Sequence, residues 1–241
     1  VNAGATVAIA AGGYLIGSIQ FARIVFAARA PGEPLVRIRT PTKDGEAELV
    51  SHAVGATNVM IAFGPRWGMF VTALDILKAF VPVLALRLVF PDESYALVCG
   101  GAVLVGHLWP VWYRFRGGGG NSSIIGMLLA ISPVGAVVTH AGGMVLGRLW
   151  PVLAFVAGVA LTIPWFWWRD GLGSPEFFFA IFVTVVYVAG QLPEAVRIYQ
   201  LKREGHTLDM GHVMALMRGA ARTGRTGAEI AEERRGGAPA E

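Results

Sequence analysis

The sequence predicts an all-α polytopic membrane protein of about seven transmembrane segments, one or two of half length, with the N-terminus outside and the C-terminus cytoplasmic. Three observations carry that prediction. Of 241 residues, 54% are hydrophobic and only 15% charged, and mean hydropathy is +0.57. Soluble domains carry about 25% charged and about 45–50% apolar residues. The apolar residues fall in runs near the length of about 20 that crosses a hydrocarbon core. The remaining basic residues gather in particular loops, as orientation in a membrane requires. A soluble globular enzyme, a nucleic-acid-binding module and a disordered chain are excluded by this balance. The net charge of +4 is an orientation and anionic-lipid signal.

The first apolar run is 6–28, with no basic residue before it and Arg23 near its end. It reads as a retained helix and not as a cleaved signal, which has a basic start and a shorter core. Residues 29–58 hold Arg29, Arg37, Arg39, Lys43, four acids and three prolines and read as a solvated loop. The second run, 67–90, is interrupted by Asp75 and Lys78, and the third is 95–113. A short basic glycine loop leads into 122–146, which carries Ser132-Pro133 at its middle. Proline disfavours helical geometry in the residue before it, so a break is expected there. Residues 122–131 then span only about 15 Å. Runs 149–168 and 176–199 complete the membrane domain, 1–199, and a basic polar tail covers 200–241. An odd count places the basic tail on the same side as the basic loops at 29–43 and 114–116. Trp109, Trp112 and Tyr113 close the third run and Trp165, Trp167 and Trp168 the sixth, where interfacial anchors belong. Cys99, the only cysteine, reads as a buried thiol.

Four places exceed background. In Ser51-His52-Ala53-Val54-Gly55-Ala56-Thr57-Asn58, small, hydroxyl and amide residues suit either an anion held by backbone N–H groups or a helix entry capped by Thr57 or Asn58. Asp75 and Lys78 lie three apart on one helix face, as a structural ion pair or as functional charges inside the membrane. His107, in Gly106-His107-Leu108-Trp109-Pro110, suits an acid or base near neutral pH, or a packed hydrogen-bonding role. Arg114 and Arg116 precede Gly117, Gly118, Gly119 and Gly120, then Asn121, Ser122 and Ser123. Glycines permit close approach of a ligand, and Asn121 or Ser122 is placed to cap a helix whose N-terminus favours anions. A flexible inner loop is the plainer reading. His140 reads as structural, and His206 and His212 as solvated, without metal-ligand context.

These four places occur together in an order that resembles the bacterial acyl-phosphate:glycerol-3-phosphate acyltransferases, the PlsY family. The resemblance runs over about residues 13–135. It begins with Gly13-Tyr14-Leu15-Ile16-Gly17-Ser18-Ile19 and continues through Ser51 and Gly55-Ala56-Thr57-Asn58-Val59. Leu74-Asp75 and Leu77-Lys78 follow, then Gly106-His107, Pro110, Phe115, Gly117-Gly118, Gly120 and Ser132-Pro133. It implies transfer of a fatty acyl group from acyl phosphate to glycerol 3-phosphate, giving lysophosphatidic acid for phospholipid synthesis, at the bacterial inner membrane, with no cofactor, metal or coenzyme A. It implies catalytic roles for Ser51 and His107 and substrate binding by Thr57, Asn58, Arg116, Gly117, Gly118, Gly119, Gly120 and Asn121. Asp75 and Lys78 are expected as a structural ion pair. The expected partners are the two substrates and membrane lipids, with no nucleic acid.

The chain departs from the family pattern in places that matter. Ala53 stands at the first loop's Asn, Ile61 at an Arg, and Gly119 at the Lys of Gly-Gly-Lys-Gly. The family's Arg-His-Arg segment has no counterpart near Gln191-Leu192-Pro193-Glu194. Arg and Lys are the groups that neutralise phosphates. A second reading therefore stands beside the first: a catalytically silent PlsY-like protein serving as a subunit of a larger membrane complex or as a lipid-binding protein.

Overall fold

The computed structural model describes residues 2–33, 35–148, 154–209, 211 and 215. Its helices are α1 (Ala3–Gly17), α2 (Phe21–Arg29), α3 (Ala56–Phe63), α4 (Pro65–Val89), α5 (Tyr95–Leu108), α6 (Asn121–Ile131), α7 (Pro133–Leu146), α8 (Ala154–Ala160), α9 (Thr162–Asp170) and α10 (Pro175–Arg203), with a hairpin of β1 (Arg39–Pro41) and β2 (Glu48–Val50). The chain forms two compact units. One comprises Val1–Gln20 and Asp75–Gln191; the other comprises Phe21–Leu74 and Leu192–Glu241.

Four stretches of the described residues are long and apolar enough to cross a membrane: Ala3–Arg29, Pro65–Val89, Tyr95–Tyr113 and Pro175–Arg203. They match four of the expected runs. The break at Ser132 occurs where the Ser-Pro step placed it. Ser132 has extended-side backbone angles, φ −150° and ψ 83°, and its hydroxyl accepts from Gly135 N–H, which caps α7. The two helices on either side, of 11 and 14 residues, are about 16 and about 21 Å long at 1.5 Å per residue. The run expected at 149–168 contains two short helices, α8 and α9, and residues 149–153 lie outside the described ones. So does 228–235, where a short tail helix was a candidate.

The first unit is a helical bundle around Leu104, Ile124, Met127, Leu128, Phe166 and Val183, all at most 1% exposed. Its tightest seam joins α1 to α5. A side chain at Gly17 would meet the Val103 carbonyl, and one at Gly106 the Tyr14 carbonyl. Membrane helices lack a hydrophobic drive to associate, so small residues that let backbones touch supply the contact. Cys99 is buried in this core, as expected.

The second unit corrects the picture of 29–58 as a simple solvated loop. Arg39, Thr40 and Pro41 pair antiparallel with Val50, Leu49 and Glu48. The Thr42 hydroxyl bonds the Asp44 carboxylate, and Asp44 also accepts from Glu46 N–H at 3.1 Å. The far end of the chain returns to this hairpin. Lys43 N–H donates to Thr207 O and Asp209 N–H to Pro41 O, both at 2.8 Å, around a Thr42–Leu208 bridge. The start of the tail is thus ordered: α10 continues to Arg203, and Leu208 makes a single bridge to Thr42 beside the hairpin. Ala22, Val25, Phe26, Val54, Val59 and Val71 form this unit's core.

Candidate functional site

In the first unit the structure gathers Asp75, Lys78, His107, Gly117 and Gly118. All three ionisable side chains are buried: Asp75 is 3% exposed, Lys78 7% and His107 3%. Lys78 Nζ lies 2.7 Å from Asp75 Oδ1, donates to Ile19 O at 2.7 Å and sits 2.8 Å from His107 Nδ1. An ammonium has three hydrogens and no lone pair, so three acceptors satisfy it. An ammonium donating to Nδ1 places the proton of a neutral imidazole on Nε2. The break between α1 and α2 matters here, because it frees the Ile19 carbonyl for Lys78.

His107 in turn carries the glycine loop. Gly118 N–H donates to His107 O and Gly117 N–H to Leu108 O, each at 3.1 Å. Buried Gln20 donates to His107 O from the other side, at 3.1 Å. A side chain at Gly118 would run into the His107 imidazole, and one at Gly117 into the His107 carbonyl. The imidazole therefore lies beneath the loop, against its backbone. Arg114 and Phe115, which lead into the loop, both have positive φ, 52° and 58°, an uncommon conformation that clusters at functional sites. Arg114 and Arg116 are exposed.

The loop ends in α6. Gly120, at φ 88°, is the N-cap residue, which corrects the expectation that Asn121 or Ser122 caps the helix; Asn121 is its first residue. A left-handed cap suits glycine. The first-turn amides of an α-helix have no internal partners. At this one, Asn121 Oδ1 and Ser123 Oγ are buried without a hydrogen-bond partner among the described residues. Gln191 holds the loop from α10, donating to Gly119 O at 3.1 Å. A Cβ added at Gly119 would meet nothing within 4 Å.

Ser51, Thr57 and Asn58 belong to the second unit. Ser51 follows β2, is half-buried, and donates its N–H to Ile38 O at 2.9 Å. Thr57 is half-buried in the first turn of α3. Asn58 is 2% exposed; its Oδ1 accepts from Gly55 N–H at 2.9 Å and its Nδ2 donates to Val36 O at 3.0 Å. The N-cap is Gly55, a correction to the expected Thr57 or Asn58. Asn58 stands three residues in and reaches back to the cap amide. Ile61, at the family's Arg position, is buried.

Sequence reasoning missed Gln20 and Gln191 as loop supports. A glutamine in an apolar run was the available signal in both cases. It also read His206 as solvated; His206 Nδ1 lies 2.8 Å from Asp44 Oδ2, and Glu46 joins them in a group spaced within 4.8 Å. That hydrogen bond raises the His206 pKa and holds Asp44 well below the usual carboxylate range. His212 lies outside the described residues.

Fold and site together define a polytopic helical membrane protein with a glycine loop seated on a buried Asp–Lys–His network. The chain belongs to the glycerol-3-phosphate acyltransferase family, whose sequence profile matches residues 7–201. It is 31% identical over 176 residues to the glycerol-3-phosphate acyltransferase of Legionella pneumophila (strain Corby), covering 73% of this chain and 59% of that one. It is 32% identical over 163 residues to that of Aquifex aeolicus (strain VF5), covering 67% and 78%. The chain therefore spans less than two thirds of the length of the Legionella relative. A crystal structure of PlsY, an integral membrane glycerol 3-phosphate acyltransferase, in its glycerol 3-phosphate form superposes with a TM-score of 0.65 at 26% identity, covering 81% of this chain and 92% of that chain. The chain is a multi-pass integral protein of the bacterial inner membrane.

Proposed function

We propose that the protein transfers a fatty acyl group from acyl phosphate to glycerol 3-phosphate, releasing inorganic phosphate and forming lysophosphatidic acid. Family membership over 7–201 supports the reaction. The observation that carries the assignment to this chain is the seated loop: His107, Gln20 and Gln191 fix Gly117–Gly120 against the N-terminus of α6. The reaction requires two phosphate-bearing substrates to be held while a hydroxyl meets an acyl carbonyl. Preorganised N–H donors stabilise the charge that develops on that carbonyl oxygen, and orientation removes much of the entropic cost.

In this reading, Gly117, Gly118, Gly119, Gly120 and Asn121 offer backbone and amide donors, and Arg116 with Arg114 supplies positive charge. Ser51 and Thr57 supply hydroxyls for substrate, and Asn58 holds their helix entry. His107 positions the loop from beneath. Asp75 and Lys78 are the structural ion pair that fixes His107. The chain crosses the membrane in seven segments, with α6 and α7 as separate half-length pieces, the N-terminus outside and the C-terminus cytoplasmic. The membrane domain is 1–199 and the tail 200–241.

A second reading, a silent relative acting in a membrane complex or as a lipid binder, has one observation in its favour. Lys78 lies against Asp75, the Ile19 carbonyl and His107, Asn58 bonds Gly55 and Val36, and Ile61 and Gly119 supply no charge. Acyl transfer by the purified protein separates the two. With palmitoyl phosphate and radiolabelled glycerol 3-phosphate, the parent forms lysophosphatidic acid and a folded His107→Ala variant does not. No product from folded protein, beside an active family member, refutes the enzyme reading.

A further inference from the structure

The first unit also carries a cavity of about 250 Å3 that no residue of the glycine loop lines. The end of α4, the start of α5, the end of α9 and the start of α10 enclose it, and its lining includes Arg87, Asp92, Glu93, Ser94, Arg169 and Glu176. Two cations and three carboxylates around one small space suit neither a simple anion nor a metal ion. The first would face the carboxylates, the second the guanidiniums. A group that carries both signs meets both.

The cations are held in place in advance. Arg87 donates to the Ala130 carbonyl at 2.7 Å and also bonds that of Ile131, at the C-terminal end of α6. The Arg169 guanidinium lies 4.9 Å from the Phe166 ring centre and bonds Asp170 at 2.9 Å. Beside the cavity along the chain, Leu88, Val89, Trp167, Trp168 and Phe178 are all more than half exposed. They give the cavity an apolar surround, and tryptophans suit a membrane interface. A ligand here has a polar head for the cavity and an apolar body for the surface around it.

We propose that this cavity binds the headgroup of a zwitterionic phospholipid bearing a primary ammonium, with its phosphate toward Arg87 and Arg169 and its ammonium toward Asp92 and Glu176. The site is separate from the glycine loop and stands whether or not the acyl-transfer reading does.

The test is calorimetric titration of the delipidated full-length protein in detergent with dihexanoyl phosphatidylethanolamine, dihexanoyl phosphatidylglycerol and free phosphoethanolamine. Arg169→Gln and Glu176→Gln are compared with the parent after their melting temperatures are shown to coincide. Arg87 is left alone because it caps α6. The phosphatidylethanolamine is expected to bind saturably at one per protein. Arg169→Gln weakens both lipids by about tenfold, the scale of one charge-assisted hydrogen bond. Glu176→Gln weakens phosphatidylethanolamine by about tenfold and tightens phosphatidylglycerol, whose anionic headgroup no longer faces that carboxylate. Binding of phosphoethanolamine alone overturns the lipid assignment. No saturable binding, or an equal response of both lipids to Glu176→Gln, overturns the site.

Discussion

Lys78→Met removes an ammonium that answers three acceptors and leaves Asp75 as a buried carboxylate without its cation. Asp75 and Lys78 side chains are 5% and 3% exposed, so water does not replace the lost partner. Breaking a buried pair on one side costs about 3–5 kcal/mol, whereas replacing both partners with apolar groups of similar volume is often near neutral. The Lys78→Met single variant is therefore expected to lose about 3–5 kcal/mol. The double variant Asp75→Leu/Lys78→Met recovers at least about 2 kcal/mol of that. At about 2–4 °C per kcal/mol for a chain of this size, the single variant melts about 6–20 °C below the parent. Cys99 is the sole thiol and is 2% exposed, so a thiol-reactive fluorophore reports its exposure on heating in detergent. A Lys78→Met melt coincident with the parent, or a double variant as low as the sum of both singles, would refute the argument that these charges are held as one buried network.

Gly119→Lys restores the charge the family pattern carries, at a position where an added Cβ meets nothing within 4 Å; acyl transfer is expected to rise about tenfold, the value of one charge-assisted contact in the transition state, measured with both substrates saturating. Gln191→Leu takes the donor from Gly119 O, and turnover should fall severalfold while the melting temperature moves little; an unchanged turnover removes Gln191 from the loop's supports. Gly106→Leu drives a side chain into the Tyr14 backbone, and overpacking of about 1–3 kcal/mol should lower the same thiol-detected melt. The His206–Asp44 bond predicts a pH window. A raised histidine pKa stabilises below its unfolded value near 6.5, and a lowered aspartate pKa above its own near 3.9. Amide-exchange protection at Lys43 and Asp209 is thus expected to be greatest at about pH 4–6.5 and to fall as pH rises through the His206 pKa. His206→Ala should flatten that dependence.

The long apolar helices were legible because length and hydropathy are local properties of the chain. Pro133 revealed the break at Ser132 for the same reason: the clash with the preceding residue is a local one. What stayed hidden depends on partners distant in sequence. In the apolar run at 6–28 only Gln20 hints at the interruption over 18–20, because the Lys78 that meets the Ile19 carbonyl and the His107 that meets Gln20 come much later. Asn58 was expected as a cap residue; the cap is Gly55, and Asn58 bonds it and Val36, 22 positions away. The motif residues singled out His107 in the sequence. Its place under the loop followed only from seeing Gly118 against its ring.

The return of the chain's far end to the hairpin has a consequence for the order of assembly. Asp44 and His206 are 162 positions apart, and every membrane helix of the first unit after α1 is synthesised between them. The hairpin of β1 and β2 can close within about 1–10 microseconds of leaving the ribosome, as hairpins do. Its open edge then waits until α10 has been made. A nascent chain stalled before residue 207 carries a bare strand edge, a template for mispairing, and completion of the last helix is what seals it.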